Sequence, residues 1–412
     1  MTSLRRKRVA LAIMLAITFL STMGFTLVFP VLPFIVERLV GDTGSVAVWV
    51  GVLGSVYAGC ALFAAPILGT LSDRIGRKPV LVVSLVGTAV GWILFGIGGS
   101  IAVLLVARII DGVTAGDQAV AFAYLADITE PDERPRIFGL VGAVSGVGLL
   151  IGPAIGGLLA GIDLALPIFA AAAATGLTAL LALIALPESL EPAKRATGST
   201  PADLNPFGTL MAAVKRPGLG SRILVFALLV FTLTVVSTNF PVLTLDVLSW
   251  GPTQLGLLLS VVGVVDIVVQ GGLLGLMVKA AGERGVVIGG LLGLVGASAL
   301  IIIVASVVPS AALFVAAALV FAVSEGATSA TLQATLSQSV EAAEQGGLAG
   351  GLSSVSSAVG LIAPLLAGAL YAGVSPAAPY VLSLGAIVAA LVLMVSRLSS
   401  HTDQPVREAV AG

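Results

Sequence analysis

Long apolar runs recur along this 412-residue chain, among them residues 80–98, 164–186, 223–236 and 377–395, and nothing else constrains its fold as tightly. A helix of about 20 apolar residues matches the roughly 30 Å hydrocarbon core of a bilayer. In lipid every backbone amide and carbonyl must be paired within the structure, so a spanning chain is either helical or a closed barrel. The alternating segments of about ten residues that mark a barrel are missing from the sequence. Composition agrees. Of all residues 58% are hydrophobic and 10% charged, with a mean hydropathy of +1.14, whereas a soluble domain carries roughly 25% charged residues. The expected fold class is an all-α membrane protein.

Twelve spans fit the pattern, at residues 9–36, 47–69, 79–98, 101–126, 136–160, 165–186, 222–247, 253–277, 285–306, 311–337, 347–373 and 377–396. With the N-terminus inside, 18 of the 20 Lys and Arg residues fall on the inner side; Arg38 falls outside and Arg108 within a span. Such a bias predicts a multi-pass protein of the cell (inner) membrane with both termini cytoplasmic. Arg5-Arg6-Lys7-Arg8 ahead of an apolar stretch has the form of a signal peptide, but the stretch is long and lacks a small-residue cleavage site, so it reads as span 1. Cys60 is the single cysteine, which excludes an internal disulfide. The single histidine, His401, lies in the polar tail, so no metal site and no cofactor are expected.

The polar stretch 188–220 divides the chain into six-span halves, 1–187 and 221–398, followed by a tail at 399–412. The halves echo one another. Phe29-Pro30-Val31-Leu32 returns as Phe240-Pro241-Val242-Leu243, and Pro153 and Gly157 return as Pro364 and Gly368, all at an offset of 211 residues. Gly51, Ser55 and Val56 return as Gly256, Ser260 and Val261 at an offset of 205. Ordered echoes at a near-constant offset predict a duplicated unit and two pseudo-symmetric six-helix bundles.

Between spans 2 and 3 the chain reads Gly69-Thr-Leu-Ser-Asp73-Arg74-Ile-Gly76-Arg77-Lys78-Pro79. The glycines permit close helix approach and a tight turn. Asp73 suits a helix N-terminus, and Arg74, Arg77 and Lys78 suit carboxylates and helix C-termini. We expect a latch holding the two halves in one conformation, with Asp127 at the end of span 4 as part of it. The loop after span 8 keeps Gly275 and Gly282 at the same spacing but has no acid in place of Asp73. Span 5 carries Gly148, Gly152, Pro153, Gly156 and Gly157, a face of small residues suited to tight helix packing.

These motifs resemble the major facilitator superfamily: the Gly69–Pro79 stretch matches its signature loop, Arg108 its proton-coupling arginine, and the span 5 glycines and Pro153 its antiporter motif. Within it the chain is most similar to the drug/proton antiporters, the tetracycline/proton antiporters above all. The resemblance implies export of a small apolar or amphipathic compound by alternating access, driven by a proton gradient without ATP.

Charged residues inside spans carry the remaining signal, since each costs about 2.5–3.5 kcal/mol at a helix centre on insertion scales. Arg108 and Asp111 share a helical face, with Gln118 seven residues on. The pair is either a structural salt bridge or a proton site, and the resemblance favours the second role for Arg108. On an unbroken helix Asp117 would lie nearly opposite Arg108. Asp266 with Gln270 in span 8, and Glu325 with Thr328 and Ser329 in span 10, read as cavity walls, and the two acids are the proton-coupling candidates of the second half. Asp117, Gln118 and Asn239 are further candidates for the substrate cavity.

Expected partners are protons, a small organic substrate and the lipid bilayer, with no nucleic acid, for a chain acting as a monomer. Uptake or uniport of a nutrient on the same fold remains the alternative. An intramembrane enzyme is disfavoured, because no H-E-x-x-H, G-x-S-x-G or P-loop motif occurs.

Overall fold

The computed structural model describes residues 3–130, 132–196, 219–340 and 345–400. Most of the 188–220 linker and of the tail, His401 included, lies outside the described residues. Those residues form helices and turns, with no strand among them. Span 1 consists of α1 (Ser3–Val28) and α2 (Leu32–Val40), span 2 of α3 (Thr43–Ile75) and span 3 of α4 (Arg77–Ile97). Span 4 consists of α5 (Ile101–Val113) and α6 (Asp117–Ile128), span 5 of α7 (Arg134–Ala160) and span 6 of α8 (Leu166–Ala185). In the second half, α9 (Leu219–Asp246) is span 7. Span 8 begins as α10 (Pro252–Val268), passes through a π-helical turn at Val269–Leu273 and enters α11 (Leu274–Ser306), which turns back to form span 9. Spans 10 to 12 are α12 (Ala311–Ser337), α13 (Gln345–Gly373) and α14 (Ala378–Ser400).

Among the described residues, ten helical stretches are long and apolar enough to cross a membrane. Two local features reconcile that number with twelve spans. Spans 8 and 9 run together over Pro252–Ser306, turning at Gly282, whose φ of 71° and ψ of 162° are non-helical and suit glycine. Span 4 is divided at Thr114–Gly116 into helices of 13 and 12 residues, each too short to cross alone.

Both breaks in the first half correct the expectation of unbroken spans. Span 1 breaks at Phe29–Val31, whereas span 7 runs helically through the equivalent Pro241. The difference lies one turn further on. Pro33 in span 1 supplies a second proline without an N–H, while at the matching place in span 7 Thr244 donates its hydroxyl to Pro241 O at 2.8 Å. In span 4 the Thr114 hydroxyl donates to Ile110 O and Asp111 O, and Gly116 N–H bonds back to Thr114 O at 2.7 Å, so the turn closes on itself and the helix restarts.

The two ends of the bundle are packed differently. We call the end bearing Arg74, Arg77 and Lys78 the basic end and the other the far end. At the far end, Asp42, Ser100 and Ser310 cap α3, α5 and α12 with side-chain oxygens. There one apolar core joins both halves, with Val28, Val31 and Val50 clustered with Val236, Phe240 and Leu255. Toward the basic end each half has its own core: Met14, Leu81 and Tyr124 in the first, Phe226, Leu291 and Leu336 in the second.

The seams between the halves follow the internal repeat. Gly51 lies against the carbonyl of Pro364, and Gly256 against the carbonyl of Pro153, so closely that a Cβ on either glycine would collide with it. Gly368 meets the carbonyl of Ala47, and Gly157 that of Pro252, in the same manner. These positions are related by the offsets 205 and 211, so the seam of spans 2 and 11 and that of spans 5 and 8 are one contact made twice. Gly148, Gly152 and Gly156 face span 1 instead, against Met23, Thr26 and Leu27. Toward the basic end Gly139, Gly142, Gly271 and Gly275 face open space. The halves meet at the far end and part at the basic end.

Candidate functional site

Two cavities occupy the middle of the molecule. The first, of about 340 Å³, lies within the first half and is lined by Thr18, Ser21 and Thr22 of span 1, Thr88 of span 3, and Asp111, Asp117 and Gln118 of span 4. The second, of about 320 Å³, lies between the halves, with Phe25, Phe29 and Arg108 on one side and Thr234, Ser237 and Thr238 on the other. Phe25, Tyr57 and Trp92 border both. The volumes lie at the small end of the range for organic-ligand sites, and apolar walls with a few hydroxyls fit such ligands.

Arg108 is held from several directions. Its guanidinium donates to Asp111 Oδ2 at 3.2 Å, and its centre lies 4.7 Å from the ring centroids of both Trp92 and Phe95 and 6.0 Å from that of Tyr57. The side chains of the ion pair are 9% and 7% exposed. The aromatic faces attract the cation while the carboxylate neutralises it, so the charge is accommodated without water. Gly91 and Gly112 make this possible: the first lies against Asp111 and Ala107, the second against Cys60 and Tyr57, bringing spans 3 and 2 close to span 4.

Asp117 joins Asp111 and Gln118 on the wall of the first cavity, while Arg108 borders the second. The turn at Thr114–Gly116 separates the helix that carries Asp111 from the one that carries Asp117.

The second-half candidates gather elsewhere and border neither cavity. Gln270 donates to Asp266 Oδ1 at 2.7 Å, and both pack on Gly326, the residue beside Glu325. Ser329 accepts from Gln333 at 3.1 Å. Gln270 sits in the π-helical turn, a distortion often found at functional sites. Two candidates do not fit a cavity wall. Thr328 is fully buried against Gly290 of span 9 and donates to Ser324 O at 2.6 Å, because the small glycine draws that face of span 10 into a helix seam. Asn239 is fully buried too, and the cavity-facing residues of its helix are Leu233, Thr234, Ser237, Thr238 and Pro241.

In the signature loop Arg77 is the hub. It bonds Asp73 at 2.5 Å, Asp127 at 3.1 Å and Ser72 Oγ at 2.7 Å. The helix N-terminus expected for Asp73 is instead capped by Glu188, whose carboxylate accepts from the N–H groups of Arg77 (2.9 Å) and Lys78 (3.2 Å). Gly76 has a φ of 117° and leaves room for that carboxylate. Ser189 donates to Asp127 at 3.0 Å. These partners lie in the first half or at the start of the linker, and among the described residues none comes from the second half, so the expected bond between halves is not made here.

Sequence reasoning missed Glu188, which lies far along the chain from the loop it caps, and Tyr57, Thr88 and Trp92. It also missed the hydroxyl row Thr18, Ser21, Thr22, though that row is visible as helical i, i+3, i+4 spacing.

The chain matches the family model described as the Major Facilitator Superfamily over residues 14–307. It is 35% identical over 285 residues to the tetracycline resistance protein, class C, of Escherichia coli, covering 68% of this chain and 70% of that one. It is 27% identical over 285 residues to multidrug resistance protein 2 of Bacillus subtilis (strain 168), again covering 68% and 70%. The fold resembles the crystal structure of the human organic anion transporter MFSD10 (TETRAN), with a TM-score of 0.70 and 22% identity over 94% of this chain and 99% of that one.

Proposed function

Since the chain belongs to the major facilitator superfamily and is a transporter rather than an enzyme, we propose that it exports small apolar or amphipathic organic compounds, tetracycline-like drugs among them, in exchange for protons. The observation that carries this reading is the difference between the two ends of the cavity. The far end is closed by the paired glycine–carbonyl seams and a shared core, and the basic end is open between two separate cores. With the basic end cytoplasmic, as the Lys and Arg bias favours, this is the state that loads cargo from the cell interior. Rocking the six-helix units 1–187 and 221–398 about the cavity would then expose it outward, with 188–220 as the connecting linker and 399–412 as a cytoplasmic tail. The relatives named for tetracycline and multidrug resistance support the cargo class.

Proton coupling rests on two groups of acids. Arg108 and Asp111 border the cavities, and a proton on Asp111 would release the arginine from its partner. Asp266 and Glu325 lie near one another across spans 8 and 10; two like charges in apolar surroundings repel, and one proton between them removes the repulsion. The test uses purified protein in oriented vesicles with an imposed pH gradient and a tetracycline as probe. Drug movement should speed up when protons flow the opposite way, and Asp266→Asn or Glu325→Gln should remove that acceleration. Transport indifferent to the gradient overturns the coupling; acceleration by protons moving with the drug makes it a symporter.

A further inference from the structure

The core of the second half contains buried polar side chains that the transport path does not use. Asn239 of span 7, Ser298 of span 9, and Tyr380 and Ser383 of span 12 are each fully buried. The amide nitrogen and oxygen of Asn239, the two serine hydroxyls and the Tyr380 hydroxyl have no hydrogen-bond partner among the described residues. Buried polar groups are almost always satisfied, so five such atoms in one half need an explanation.

Register along the helices places them beside one row. On span 7, Thr232, Asn239 and Asp246 follow at intervals of seven, which places them along one helix face. The lower end of that row meets span 12, where Thr232 donates to Ser383 O at 3.5 Å. Its upper end meets span 11, where the Tyr371 hydroxyl donates to Asp246 at 2.8 Å. Tyr371 lies in the last turn of span 11 and Tyr380 in the first turn of span 12. Span 9 runs beside span 12: Arg284 donates to Met394 O near the basic end, and counting equal numbers of residues along these antiparallel helices brings Ser298 level with Tyr380. The matching places in the first half are apolar or small; an offset of 211 relates Asn239 to Val28 and Ser383 to Ala172.

We propose that this row binds a chain of water molecules inside the second half, running from Asp246 near the far end past Asn239, Tyr380 and Ser298 to Ser383 and Thr232, separate from the central cavity. Water is the ligand that suits the donor set. The polar atoms come from neutral amide and hydroxyl groups, both donating and accepting, while the one carboxylate stands at the mouth, where Tyr371 already holds it. A buried water takes two to four polar partners, and three helices supply them here. The inference does not depend on what the protein carries or on proton coupling.

Hydroxyl-radical footprinting of the full chain in lipid nanodiscs, by X-ray radiolysis and mass spectrometry, tests it, because radicals form from water beside the side chain they modify. Tyr380 should be modified at a rate within about threefold of cavity-lining Tyr57. Tyr124 is the control: it is equally buried, but its hydroxyl is satisfied by Pro187 O at 2.7 Å, and it should remain unmodified. Asn239→Leu, of similar size without polar atoms, should suppress modification of Tyr380 and leave that of Tyr57 unchanged. A wild-type Tyr380 as unreactive as Tyr124 overturns the proposal. So does a Tyr380 whose modification persists undiminished in a folded Asn239→Leu protein.

Discussion

Arg108 illustrates how a single charge is made tolerable inside an apolar protein. Its ion pair with Asp111 and its position over Trp92 and Phe95 share the cost of desolvation. Removing one member of a buried pair leaves the other uncompensated, at about 3–5 kcal/mol. Asp111→Asn should therefore lower stability by about 3 kcal/mol, and adding Arg108→Gln should restore most of it, as read by thermal unfolding in detergent. A single mutant as stable as wild type would mean that the aromatic rings balance the guanidinium by themselves. A second residue-scale expectation concerns pH. Glu133 accepts a hydrogen bond from Lys7 that holds its carboxyl below the ordinary glutamate value, with the lysine charge adding to the effect. The tie between the starts of α1 and α7 is thus complete above that ordinary value and is lost as pH falls through the lower, folded one. Hydrogen exchange at the start of α7, corrected for its intrinsic pH dependence, should rise only in that acidic window, and Glu133→Gln should abolish the step. The Arg108–Asp111 pairing was legible from i, i+3 spacing, whereas the rings around it come from spans 2 and 3 and left no local signal.

Helices in this protein are defined as much by where they break as by where they run. Apolar length announces the spans, but it is indifferent to a turn inside one, and so spans 1 and 4 read as continuous. The helix restarts at Asp117, which with Gln118 lines the Asp111 cavity. The approach of span 4 to span 2 depends on Gly112, where a Cβ would stand 2.6 Å from Cys60 Cβ and 2.8 Å from the Tyr57 carbonyl oxygen. Backbone cannot step aside as a side chain can. Gly112→Ala should cost about 1–3 kcal/mol and loosen Tyr57 from Arg108, detectable as a lower melting temperature with faster chemical modification of Tyr57. The same physics explains Thr328: its place on the wheel beside Glu325 is right, but Gly290 admits span 9 so closely that the threonine becomes part of a seam.

At the scale of the whole molecule, the internal repeat becomes a mechanical symmetry. Two seams hold the far end closed, each a glycine under the carbonyl of a proline in the other half. Gly51→Ala and Gly256→Ala should weaken the closed far end alike, each by about 1–3 kcal/mol. Spin labels at Ser100 and Ser310, read by pulsed electron resonance distances, should report a longer population in both variants and no such population in the wild type. A shift in only one of them would mean that the seams are not equivalent. The Gly and Pro echoes were visible as offsets of 205 and 211, and they anticipated the contact. That span 2 meets span 11, and span 5 meets span 8, was not visible, because pairing between halves leaves no mark on either half alone.

By itself, then, the sequence determined that the chain is a helical membrane protein with a duplicated plan, a charged loop after span 2 and a few acids in its spans. Those properties rest on local composition and spacing, which lipid reads directly. Tertiary structure alone decided that the signature loop is tied to its own half and to the start of the linker through Arg77, Asp127 and Glu188, that Asp111 and Asp117 share a cavity while Asp266 and Glu325 stand apart from it, and that the far end is the closed one. Each of these is a meeting of residues distant in sequence, settled by which small side chains let which backbones approach.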